Sequence, residues 1–135
     1  MSAEVTTPLN EVSAAVIAHA IEIHRELGPG LLESVYETVL HATLERSGWQ
    51  VLRQQPVGIE YAGLSFPAAF RLDLLVDQRL VVEIKSVETL TKAHTKQVLT
   101  YLRLTKQPLG LLLNFNEATM KDGIRRLVND FAEGS

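Results

Sequence analysis

Apolar residues recur three and four positions apart over the first third of the chain, then two apart over the next stretch. Val16, Ala20, Ile23 and Leu27 form one stripe at helical spacing and predict a helix over residues 11–27. Gly28-Pro29-Gly30 ends it, because both residue types disfavour continuing a helix. A second helix is predicted from position 31 or 32 to 47. Val35, Val39 and Ala42 give its apolar face, Tyr36, Leu40 and Leu44 lie beside them, and Gly48 provides the stop. Residues 1–9 read as a flexible lead and residues 10–135 as one domain.

Period two takes over after Gly48. Residues 51–54 and 57–61 are short strand candidates separated by Pro56, and Ala62-Gly63 is a turn leading into 64–66. Stronger strands are predicted over 70–76 and 80–87, joined by the polar Asp77-Gln78-Arg79 into an antiparallel hairpin. A third helix is expected over 91–104, with Val98, Leu99 and Leu102 inward. Residues 110–115 form a continuous apolar run that suits a buried strand with a parallel neighbour. Residues 123–131 read as a last short helix.

The hairpin holds the candidate chemistry. Glu83 and Lys85 are two apart on one strand and share a face, with Leu80, Val82 and Ile84 opposite. On the partner strand, Asp73 takes the face opposite Leu72 and Leu74. A turn consisting of residues 77–79 pairs Val76 with Leu80, and counting back sets Asp73 across from Glu83. Opposed residues have β-carbons roughly 4.5–5.5 Å apart, so two carboxylates there repel. A divalent cation between them reverses the sign of that interaction, and oxygen-only ligands favour Mg²⁺ or Mn²⁺. Lys85 is then placed to stabilise charge developing on a phosphate. The competing reading is a solvated sheet face, on which Glu-x-Lys is common. Against it, Leu80-Val81-Val82-Glu83-Ile84 reads as a central strand, where a charge without a partner is rarely buried.

Other positions have two readings each. Glu33 either stabilises the N-terminus of the second helix or adds a metal ligand, and Tyr36 packs in the core or joins the site. His94, Gln97 and Tyr101 fall on one stripe of the third helix. They form an ordinary polar flank or, for Gln97 and Tyr101, contact a phosphate or the metal ligands. Lys92, Lys96, Arg103 and Lys106 make this helix locally basic, as a phosphate backbone or plain solvent would allow. Nucleophile-elbow, phosphate-loop and His-Glu-x-x-His motifs are absent.

Composition narrows the classes. The chain has 135 residues, a formal net charge of −3 and no cysteine. Disulfides, thiolate metal sites and cysteine nucleophiles are excluded, which fits a reducing compartment. No apolar run is long enough to span a membrane, and the first ten residues lack the pattern of a signal peptide. A cytoplasmic protein with no membrane partner is expected. The acidic balance counts against a broad nucleic-acid surface, but not against an enzyme that meets phosphates through cations and a local basic patch.

Four segments in order carry a resemblance. Gly30-Leu31-Leu32-Glu33-Ser34-Val35-Tyr36 is similar to the Gly-x-x-Glu-x-x-Tyr signature of the bacterial GxxExxY protein family, which resembles the PD-(D/E)xK nuclease superfamily. Arg71-Leu72-Asp73-Leu74-Leu75 with Val82-Glu83-Ile84-Lys85-Ser86, and Gln97 to Leu102, complete it. The resemblance runs from about Leu9 to Val128. It implies a restriction-endonuclease-like α/β fold, a mixed β-sheet flanked by helices in αβββαβ order. It implies Asp73 and Glu83 as metal ligands, Lys85 as the catalytic lysine and Glu33 as the acidic residue from the preceding helix. Gln97 and Tyr101 match a Gln-x-x-x-Tyr element that follows the lysine in nucleases of this group. The proline of the superfamily's name is missing, since Ala69 and Phe70 precede Arg71. The implied function is Mg²⁺- or Mn²⁺-dependent hydrolysis of nucleic acid, DNA in the first place, with a homodimer as a candidate state. The alternative is a non-catalytic module that keeps the fold and binds nucleic acid or protein.

Overall fold

The computed structural model describes residues 7–129. Its elements are α1 (Leu9–Leu27), α2 (Glu33–Arg46), β1 (Val51–Tyr61), β2 (Leu64–Val76), β3 (Leu80–Lys85), α3 (Lys92–Thr105), β4 (Leu109–Asn114), a 3₁₀ turn (Lys121–Gly123) and β5 (Ile124–Val128). The expected flexible lead falls mostly on residues 1–6, outside the described residues. No helix among the described residues is long and apolar enough to cross a membrane.

The strands form one mixed sheet in the order β1-β2-β3-β4-β5. Only β3 and β4 run parallel, and α3 makes the crossover between them. The expected αβββαβ order is therefore present, on an α/β sheet with helices on both faces. One face packs Val16, Ala20 and Ile23 of α1 and Tyr36, Leu40 and Leu44 of α2 against Leu74, Val82, Ile84, Leu111 and Leu113. The other face packs Val98 and Leu102 of α3 against Leu72, Leu75, Val81 and Leu112. With both faces of β3 and β4 covered, their near-continuous apolar sequences follow. Gly110 lets α3 sit close, since a β-carbon there would lie 3.0 Å from Val98 Cγ1.

Several expectations are corrected. The last short helix is instead β5, antiparallel to β4 from Leu113↔Ile124 to Leu109↔Val128; residues 130–131 of the expected helix lie outside the described residues. Ile124 packs on the α1–α2 face and Leu127 on the α3 face, as residues three apart do on a strand. The two short strands around Pro56 are one strand, tolerated because β1 is the sheet edge. Leu99 points outward, with 38 % of its surface exposed. On α2 the buried stripe is Tyr36, Leu40 and Leu44, whereas Val35 is exposed.

The hairpin register is the predicted one: Val76 faces Leu80, Leu75 faces Val81 and Leu74 faces Val82. The pairing stops there. Leu72 and Leu74, expected on one face, pack in opposite clusters, so β2 reverses its pleat at Asp73. Gln54, across β1 between the pairs Arg53↔Leu74 and Gln55↔Leu72, has φ 51°. That left-handed residue gives β1 a matching reversal, with Leu52 and Val57, an odd number apart, on the same face. Beyond the reversal β2 has only β1 beside it in the sheet, and residues 64–69 are all exposed.

Candidate active site

Where the β2–β3 ladder ends, two carboxylates take over its hydrogen bonds. The Asp73 backbone N–H donates to Glu83 Oε1 at 3.1 Å, and the Ile84 N–H donates to Asp73 Oδ2 at 2.9 Å. Each side chain thus accepts from the opposite strand and holds the two strands at a fixed separation. Glu83 is buried, with 4 % of its surface exposed. Burial first, and then the charge of Asp73, push the Glu83 carboxyl up to about 8, while Lys85 pulls it down. Burial also raises the Asp73 carboxyl, with Glu37 adding to the rise and the Ile84 N–H opposing it. Register counting therefore set Asp73 and Glu83 near each other, and the structure joins them in a geometry where both lose water.

Lys85 follows on the same strand, half-buried, and its ammonium has no hydrogen-bond partner among the described residues. Its segment is pinned by the end of β4. The Phe115 N–H donates to Lys85 O at 2.9 Å, and buried Asn114 clamps Val87 through Oδ1 (3.0 Å) and Nδ2 (2.9 Å). Tyr101 of α3 stands across the pair: its phenol is raised by burial and then by the charges of Glu83 and Asp73. The Tyr101 ring stacks on Phe70 at 4.2 Å between centroids. Gln97, one turn earlier, is exposed.

The Gly-x-x-Glu-x-x-Tyr stretch meets the site from behind. Glu33 Oε2 accepts the Ser86 N–H at 3.2 Å, directly after Lys85, and Ser86 Oγ donates to Leu31 O at 2.7 Å. Tyr36 is a core residue that also fastens the turn. Its hydroxyl donates to Gly28 O at 2.6 Å, accepts from the Leu31 N–H at 3.1 Å, and its ring stacks on Phe115. Gly28 and Gly30 have φ of 72° and 98°, which that turn requires. Glu33 is not gathered with Asp73 and Glu83: among the described residues no group of three or more His, Cys, Asp or Glu is arranged to hold a metal ion. His94 serves the fold, closing a capping box in which Thr91 N–H donates to its Nδ1 at 3.0 Å.

Sequence reasoning missed two neighbours of Asp73. Gln54 Nε2 donates to Glu37 Oε1 at 2.8 Å and to Asp73 Oδ1 at 3.3 Å. Glu37, buried on α2, pairs through Oε2 with Arg53 Nε at 2.7 Å. Glu37 lies one helical turn after Glu33, a spacing that marked it as sharing that face. Gln54 carried no such signal, because only the β1–β2 register sets it against Asp73.

The donor set fits a hard divalent cation. Two desolvated carboxylates stand together, close enough to share a proton when no cation lies between them, and Mg²⁺ needs only one or two carboxylates beside water and substrate oxygens. A cavity of about 370 Å³ beside the site is lined by Leu31, Leu32, Glu33, Ser34 and Ser86. Exposed Lys92, Lys96 and Arg103 line α3.

The family model described as the PD-(D/E)XK nuclease superfamily matches residues 10–127. No curated protein and no solved structure matches the chain.

Proposed function

Because this chain belongs to the PD-(D/E)XK nuclease superfamily, we propose that it is a divalent-cation-dependent nuclease that hydrolyses phosphodiester bonds, with DNA as its substrate. Nucleases of this superfamily generally use divalent metals such as Mg²⁺. The observation that carries the reading is the interlocked Asp73–Glu83 pair, with Lys85 two residues further along β3.

Asp73 and Glu83 are the residues that would hold Mg²⁺ or Mn²⁺. When bound, the cation supplies Lewis acidity and neutralises phosphate charge. The Lys85 ammonium, not committed to any hydrogen bond, places positive charge where the phosphoryl oxygens become more negative. Glu33 holds the Ser86 amide and so fixes the strand end that aims Lys85. Tyr101 faces the carboxylate pair from α3, its phenol raised by burial and by their charges. Gln97 and the exposed cations of α3 contact the phosphate backbone.

Purified protein with Mg²⁺ or Mn²⁺ is expected to cut labelled DNA, and chelation to stop it. Lys85→Ala and Asp73→Ala should each lower the rate by about 10²-fold or more, with unchanged far-UV circular dichroism. Cleavage at equal rates by wild type and both variants would defeat the assignment. One observation favours a second reading, a non-catalytic binding module: among the described residues no group of three or more His, Cys, Asp or Glu is arranged to hold a metal ion. Calorimetry with Mn²⁺ separates the two, since a module of that kind needs no cation.

A further inference from the structure

The backbone of β1 adopts a conformation that L residues rarely take at Gln54, φ 51°, where β1 and β2 reverse their pleat together. Its consequence lies in the side chain. With the pleat reversed, the Gln54 amide reaches both Glu37 on α2 and Asp73 on β2. One NH₂ group thereby serves two carboxylates from two other elements. Glu37 is saturated by it: Oε2 takes Arg53 and Oε1 takes Gln54, while Arg53 is held in turn by Thr38 Oγ1 at 2.7 Å. Remove the amide, and Glu37 and Asp73 face each other with no donor between them.

We infer that Gln54 is a positioning residue for Asp73, orienting the Oδ1 edge of that carboxylate toward a bound cation and anchoring it to the Arg53–Glu37 ion pair. The inference rests on Asp73 being a cation ligand, as proposed above. It assigns the β1 irregularity a purpose: the fold tolerates a left-handed glutamine because that conformation delivers the amide to the ligand. Asp73 then has one oxygen fixed by the Ile84 N–H and the other by Gln54, so neither oxygen rotates freely. A carboxylate held this way is preorganised, and loss of such an outer contact typically weakens metal affinity by about 10- to 100-fold.

Glycine adopts positive φ without strain, so Gln54→Gly keeps the backbone and deletes only the amide. The full-length chain would be titrated calorimetrically with Mn²⁺ alone, as wild type, Gln54→Gly, Gln54→Asn and Asp73→Asn. Wild type should bind, Asp73→Asn should lose binding, and Gln54→Gly should bind about tenfold more weakly with unchanged far-UV circular dichroism. In cleavage assays, Gln54→Gly should need more Mn²⁺ for half-maximal rate while retaining most of its rate at saturation. If Gln54→Gly does not fold, Gln54→Asn decides, because asparagine tolerates the left-handed region and its amide is one carbon short. Wild-type affinity in whichever variant folds would overturn the role of Gln54 and leave the nuclease reading intact. A wild type that takes up no Mn²⁺ would overturn both.

Discussion

At the scale of single residues, the site is defined by a conflict between charge and burial. Glu83 titrates near its ordinary value of 4.5 in an unfolded chain and at about 8 when folded. Between those values the native protein binds more protons than the unfolded chain, so stability falls as pH rises through that window. Asp73 is displaced in the same direction. With chelator present, the thermal midpoint is therefore expected to drop between about pH 5 and pH 8, by an amount worth a few kcal/mol at most. Glu83→Gln should flatten that slope, and Mg²⁺ should restore the midpoint at the alkaline end. A midpoint that rises over the same range in differential scanning fluorimetry would contradict the burial of Glu83. Much of this was legible in the sequence, since Glu83 ends a run of Leu and Val and register counting found its partner. Glu33 was legible as a residue near the site, but its contact with the Ser86 backbone was not, because no spacing rule sets a helix terminus against a particular strand end.

At the scale of elements, the misread segment is the instructive one. Ile124, Leu127 and Val128 fit a helical face as well as they fit a strand, and a run of five residues is too short for period to decide. The open edge of β4 decides it, by offering backbone partners along the whole segment. Gly123 makes the approach feasible. A β-carbon there would overlap the Asn114 carbonyl oxygen, which is backbone and has little room to move. Gly123→Ala is expected to destabilise the protein by about 2–3 kcal/mol in denaturant unfolding. An unchanged midpoint would mean that the 3₁₀ turn can shift without disturbing β5. The sequence did announce a glycine at an element boundary, but it could not say which element followed. By contrast, β3 was readable from its almost wholly apolar run behind a polar turn, and α3 from apolar residues at helical spacing over fourteen residues.

At the scale of the whole molecule, the sheet is unevenly covered. Helices protect β3 and β4 on both faces, whereas the outer half of the β1–β2 ribbon carries Tyr61, Leu64 and Phe66 in the open, at 76 %, 59 % and 45 % exposure. The segment Leu64-Ser65-Phe66-Pro67-Ala68-Ala69-Phe70 contains no charge. Such a stretch, apolar and prone to extended structure, is what self-associating fibrils recruit, and proline is the residue they tolerate least. Pro67 is thus placed to act as a gatekeeper while the ribbon is not yet docked against β3. Pro67→Val should leave cleavage unchanged yet speed the growth of light scattering and thioflavin fluorescence when the chain is refolded at micromolar concentration. Equal traces for the two proteins would show that the ribbon is harmless without it.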